Sequence, residues 1–154
     1  MRHALDAGYR LLDTAVSYRN ETEVGRAVAA SGLDREEVAL VTKVPGRRHR
    51  SAVECVEESL RRLRTDHVDL RWVHIWDRHT PIEETMRTLD DLVHAGKIRY
   101  LGFSNIPAWV TAQAQTRALL QGWTPLVALQ IGYSLLNRGV EAEVAPLALD
   151  QGLA

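Results

Sequence analysis

The chain has 154 residues, 45% of them hydrophobic and 25% charged, which is ordinary composition for one soluble globular domain. Nineteen basic residues against twenty acidic ones leave a net charge of -1, which disfavours a bulk binder of nucleic acid, and no run of about 18 apolar residues is present to span a membrane. The single cysteine, Cys55, excludes an internal disulfide and a cysteine-rich zinc site, and it fits a reducing, cytoplasmic home.

Residues 2–7 read as the tail of a helix ended by Gly8. An apolar run at 10–14 follows, then Asn20 with Glu23, a capping-box pattern ahead of Val24, Ala27 and Val28. That helix should end near Gly32. A second run, 38–43, precedes Ser51 with Glu54, the same pattern before Val56, Leu60 and Leu63. The third run is 68–74. After it, Thr80-Pro81-Ile82-Glu83 predicts a cap, a proline at the first helical position and a glutamate at the third, with Gly96 at the far end. The fourth run, 98–103, leads to a helix that starts at Pro107 and stops at Gly122; the fifth, 126–131, leads to a last helix at about 140–150. The runs are rich in Val, Ile and Leu, as suits strands buried on both faces of a parallel sheet.

Alternation of this kind predicts an α/β fold, either a doubly wound sheet or a (β/α)8 barrel. No G-x-G-x-x-G follows any strand, which weakens the dinucleotide-binding version of the first. Polar and ionisable residues gather at the strand C-terminal ends: Asp13, Lys43, His74, Ser104, Asn105 and Gln130. Barrel enzymes place their chemistry at that face. The expectation is therefore a partial (β/α)8 TIM barrel in which five of eight strands are present, the first and the last two lacking. Residues 1–154 read as a single incomplete domain, an internal piece of a longer barrel that typically needs about 250 residues.

In such a barrel Asp13, Tyr18, Lys43 and His74 converge on one mouth. A free tyrosine, with a pKa of about 10, is a poor acid near neutrality, and a nearby ammonium favours its ionised form. An aspartate holds that lysine charged and in place. A histidine can bond a substrate oxygen. The set suits proton donation to a carbonyl oxygen while hydride reaches the carbon. Each residue alone also has an ordinary structural reading as turn, cap or packing; the joint pattern carries the expectation. Arg47-Arg48-His49-Arg50 with Arg61, Arg62 and Arg64 reads as a solvated basic face. The six histidines offer no close ligand pair, so no metal site is expected. Cys55 reads as a buried, inert helix residue.

The chain resembles the aldo-keto reductase family over nearly its whole length. The resemblance rests on residues 8–15 (GYRLLDTA), Tyr18, Asn20-Glu21, Val24-Gly25, Val41-Thr42-Lys43 and Glu58-Ser59-Leu60. It continues through Val68-Asp69-Leu70 with His74, residues 80–86 (TPIEETM), Leu92-Val93, residues 96–105 (GKIRYLGFSN) and Leu129-Gln130-Ile131. Up to about Asp69 the chain is similar to the diketogluconate-reductase type, and from about Trp72 to the aryl-alcohol-dehydrogenase type. The resemblance implies reduction of aldehydes or ketones with NADPH. It implies Tyr18 as general acid, Lys43 and Asp13 as the partners that tune its acidity, and His74 as the group that orients the carbonyl. Ser104, Asn105 and Gln130 match positions that bond the nicotinamide carboxamide, and Asp13 is counted among the cofactor-binding positions. Trp76, just past His74, reads either as a wall of the substrate pocket, with Tyr18 and His74, or as packing. The strands that supply the aromatic stacking on nicotinamide and the groups gripping the adenosine phosphate are absent from the resemblance. The expected partner is a small-molecule carbonyl substrate, with self-association possible through exposed barrel edges. The alternatives to a reductase are an inactive barrel fragment and a non-catalytic interaction module derived from one.

Overall fold

A computed structural model describes residues 1–44 and 51–154. Arg47-Arg48-His49-Arg50, from the basic patch, fall outside the described residues.

Among the described residues five strands form one sheet: β1 (Leu11–Asp13), β2 (Ala39–Val44), β3 (Val68–Val73), β4 (Ile98–Ser104) and β5 (Leu126–Gln130). They lie in the order β1-β2-β3-β4-β5 and every neighbouring pair is parallel. Among the described residues six α-helices accompany them: α1 (Arg2–Asp6), α2 (Glu21–Ala29), α3 (Ala52–Leu63), α4 (Ile82–His94), α5 (Ala108–Gln121) and α6 (Val144–Gln151). A doubly wound sheet reverses its strand order at a switch point. Here the order never reverses. Parallel crossovers are right-handed, so each strand-helix step advances the same way and the helices stack on one face. The sheet is therefore a five-stranded arc of barrel wall.

The helix-facing side holds the main core. Leu40, Val73, Leu101 and Phe103 from the strands join Val56, Leu60, Met86, Leu89 and Val110 from the helices. Successive strand residues face opposite sides. Lys43, Trp72 and Gly102 are register partners on the other face. The Trp72 ring lies so close to Gly102 that a Cβ there would sit 2.3 Å from it, which explains a glycine in mid-strand.

Strand positions match the sequence expectation to within a residue or two, but helix starts differ. Pro81 takes the cap position with φ -54° and ψ 137°, not the first helical position, and the buried Thr80 hydroxyl donates to Asp77 Oδ2 at 2.7 Å. Asn20 stands at the cap of α2, yet its side chain accepts from Thr14 Oγ1 at 2.5 Å instead of capping the helix. Ser51 caps α3 without a side-chain cap bond. The last helix begins later than expected, after a short 3-10 turn at Gly139–Glu141. Gly122 ends α5 at φ +68°, as a left-handed stop requires.

At the N-terminal ends of the strands, Asp69 ties three segments together. It accepts from the Leu40 N–H at 2.8 Å, from Arg35 Nη2 at 2.7 Å and from Arg99 Nη1 at 2.9 Å. Burial alone would raise its carboxyl; the Leu40 N–H and Arg35 outweigh that and hold it below the usual carboxylate range. Among the described residues no helix is long and apolar enough to cross a membrane.

Candidate active site

Tyr18 and His74 come from the connections that follow β1 and β3, Lys43 from the end of β2 between them, and Asp13 closes β1. Thr14 N–H bonds Val41 O at 2.8 Å, keeping the chain beside β2 just past Asp13. A 3-10 turn, Val16–Tyr18, then lifts Tyr18 out over the strand ends. Arg19 closes that turn at φ +56°, a left-handed conformation that costs a non-glycine residue roughly 1–2 kcal/mol. Such a residue persists only where its surroundings fix it. Lys43 is 1% exposed near the end of β2, and His74 follows β3, its N–H bonded to Val44 O at 3.1 Å.

Lys43 Nζ forms an ion pair with Asp13 Oδ2 and donates to Thr14 O at 3.1 Å. The same ammonium lies 5.3 Å from the centre of the Tyr18 ring. The His74 ring meets Tyr18 edge-on, with centroids 6.4 Å apart. All four expected residues thus share one mouth. Tyr18 is 53% exposed, and its hydroxyl makes no hydrogen bond among the described residues, so it is open to a ligand. Burial first, and then the Lys43 ammonium, push the His74 imidazole below its ordinary value, while Asp13 opposes. His74 is therefore neutral near pH 7.

Ser104, Asn105 and Gln130 form a second cluster at the ends of β4 and β5. Ser104 is the register partner of Gln130, and the Asn105 N–H donates to Gln130 O at 3.1 Å. Asn105 Nδ2 donates to the Ser104 hydroxyl at 3.0 Å, and Asn105 sits at φ +52°. The group presents a hydroxyl and two side-chain amides, a mixed donor and acceptor set that suits a carboxamide. Trp76 packs against the core, edge-on to Trp109 at 5.1 Å, with the Arg78 guanidinium 5.3 Å from its ring centre.

Sequence reasoning missed the Thr14 carbonyl, Trp109 and a buried polar layer beneath the mouth. Glu21, Thr42, Ser59 and Arg71 are each at most 1% exposed there. The available signal was a charged residue, Arg71, inside an apolar strand. A cavity of about 780 Å³ lies at the opposite end of the sheet, beside Leu33, Leu40, Leu60, His67 and Lys97, and none of the expected site residues lines it.

Residues 1–154 match the Aldo/keto reductase family. An aryl-alcohol dehydrogenase [NADP(+)] of Phanerodontia chrysosporium is 33% identical over 171 residues, covering 97% of this chain and 44% of that protein. A 2,5-diketo-D-gluconic acid reductase B of Corynebacterium sp. is 47% identical over 106 residues, covering 66% of this chain and 38% of that protein. A crystal structure named for a 2,5-diketo-D-gluconic acid reductase B superposes with a TM-score of 0.88 at 36% identity, covering 99% of this chain and 53% of that one. The chain spans about half the length of the relatives it matches. A family match over every residue, carried on a parallel arc of barrel wall, makes this chain a member of the Aldo/keto reductase family.

Proposed function

We propose that the chain carries the carbonyl-reducing centre of an NADPH-dependent reductase, with Tyr18 as proton donor. The observation that carries this reading is the exposed Tyr18 hydroxyl above the buried Lys43 ammonium, which Asp13 pairs from a more exposed position, with His74 alongside. A carbonyl oxygen placed between Tyr18 and His74 takes the Tyr18 proton and accepts an N–H from neutral His74. Lys43 stabilises the negative charge left on the phenolic oxygen, and Asp13 holds the lysine in place. Ser104, Asn105 and Gln130 would hold the carboxamide of the nicotinamide, and Asp13, on the far edge strand β1, is the further cofactor-binding position. NADPH, when bound, supplies hydride to the carbonyl carbon. Trp76, braced by Trp109 and Arg78, forms a wall of the substrate mouth. Small aromatic aldehydes are the substrate class to screen first, given the aryl-alcohol dehydrogenase among the relatives. Residues 1–154 belong to a single barrel domain, and Cys55 suits a reducing cytoplasm.

The test is an NADPH titration followed by fluorescence of Trp72, Trp76, Trp109 and Trp123, then turnover of an aromatic aldehyde. Saturable quenching at micromolar cofactor with turnover is expected; absence of both overturns the reading for this chain. The edge strand β1 pairs on one side only, the outer side of β5 is met by Ala154 (Leu129 N–H to Ala154 O at 2.8 Å, Ala154 N–H to Val127 O at 3.0 Å), and Leu135 and Leu136 are 88% and 100% exposed; the open β1 edge and these leucines suit self-association. A titration midpoint that shifts with protein concentration supports that second reading, and a constant one counts against it.

His74 also sets a pH dependence. Its folded pKa lies below the unfolded value of about 6.5, so below that pH the unfolded chain binds more protons than the folded one. The contribution to stability is complete above about pH 6.5 and is lost as pH falls through the folded pKa. The urea midpoint of the chain should drop more between about pH 7 and pH 5 than that of His74→Gln. Equal drops would refute the assignment.

A further inference from the structure

The turn that presents Tyr18 is fastened from beneath. Glu21, three residues beyond Tyr18 and first in α2, is 1% exposed. Its Oε1 accepts from Thr42 Oγ1 at 2.7 Å and its Oε2 faces Arg62 Nη1 at 3.4 Å. Thr42 is the neighbour of Lys43 in β2 and points to the opposite face of the sheet. Its register partner in β3 is Arg71, which is wholly buried. Arg71 Nη1 donates to Ser59 Oγ at 3.1 Å, while its Nε and Nη2 have no hydrogen-bond partner. Burial pushes the guanidinium down to about 10, against the pull of Glu21, and it stays charged near neutrality. A buried cation with two idle donors needs a nearby anion, and Glu21 is the buried carboxylate that supplies it.

These contacts bear on one point in space. Thr14 to Asn20 ties together the two ends of the loop from β1 to α2, and Thr42 to Glu21 fastens the first residue of α2 to β2. Between Thr14 and Asn20 lie the 3-10 turn and the left-handed Arg19. The position of the Tyr18 ring relative to Lys43 and His74 then depends on where α2 begins.

We propose that Glu21, backed by the buried Arg71, is a positioning residue that fixes the turn holding Tyr18 opposite Lys43 and His74. It touches no substrate and acts through Tyr18, so the inference rests on the proton-donor reading above. Loss of the Glu21 charge leaves Arg71 unbalanced in the core, and the first turn of α2 shifts away from β2.

The test uses the 154-residue chain labelled with fluorotyrosine, the Tyr18 fluorine resonance being assigned by its loss in Tyr18→Phe. In Glu21→Gln, which keeps an acceptor for Thr42, the Tyr18 resonance should move or broaden while those of Tyr9, Tyr100 and Tyr133 stay put. Aldehyde turnover should show kcat lowered by up to about 10²-fold, the scale for a misplaced catalytic group, with KM and NADPH affinity little changed. An unshifted Tyr18 resonance in the folded variant overturns the proposal. Should Glu21→Gln fail to fold, Glu21→Gln with Arg71→Met leaves neither charge alone in the core and is read by the same resonance and the same criterion. The resonance reads the placement of Tyr18 whether or not Tyr18 is the acid; turnover surviving Tyr18→Phe would instead reject the acid role.

Discussion

Replacing Tyr18 with phenylalanine should lower the turnover of an aromatic aldehyde by about 10²- to 10⁴-fold, the usual contribution of a general acid. Folding should be almost untouched. The ring is 53% exposed and the hydroxyl makes no hydrogen bond among the described residues, so no buried partner is orphaned by its removal. A surface change of this kind stays within about 0.5 kcal/mol. Cofactor affinity should also hold, because Ser104, Asn105 and Gln130 lie at the ends of β4 and β5, away from the turn that bears Tyr18. Steady-state kinetics beside a fluorescence titration separates these effects. Turnover close to that of the parent would remove Tyr18 from the mechanism, while lost NADPH binding would mean that the phenol contributes to the cofactor site.

Gly25→Ala should destabilise the chain by about 1–2 kcal/mol, read from the urea midpoint. A Cβ at residue 25 would lie 2.5 Å from Leu63 O, 2.6 Å from Leu63 C and 2.7 Å from Arg62 O. All three are backbone atoms at the end of α3 and cannot rotate away, so the two helices must separate. Overpacking of this kind costs about 1–3 kcal/mol and sometimes more, and alanine recovers about 1 kcal/mol of helix propensity. The loss is large against the 5–15 kcal/mol that normally holds a domain together. Gly25 is one turn beyond Glu21, so the same separation loosens the seam where Glu21 is buried beside Arg62. Activity should therefore fall along with stability. An unchanged midpoint would show that α2 and α3 are packed less tightly than these distances imply.

Strand positions were legible because fully buried parallel strands need unbroken apolar runs, and 38–43, 68–74 and 98–103 are such runs. The barrel could be told from a doubly wound sheet by where polarity collects: Asp13, Lys43, His74, Ser104 and Gln130 all close strands. Helix starts were less legible. Asn20 and Thr80 have the chemistry of caps, but Thr14 and Asp77 compete for their side chains, and a local pattern cannot register a partner brought near by folding. The edge strand β1 also proved short, three residues where five were expected, with Leu11 60% exposed, because it has a neighbour on one side only.

By itself the sequence determined that Asp13, Lys43 and His74, three of the residues proposed for chemistry on a carbonyl, would stand at one end of a parallel sheet. Hydrophobic periodicity and the two-residue repeat of a strand suffice for that, since both act along the chain. Only the tertiary structure decided that Lys43 is buried against Asp13 with its charge beneath the Tyr18 ring, and that Thr42, one residue earlier, anchors Glu21 on the opposite face. It also joined Arg71 to Ser59 and left two of its donors idle. Those relations link residues 12 to 30 positions apart. They depend on strand register and on how closely α2 lies against α3, and both are set by packing between segments that no local pattern encodes.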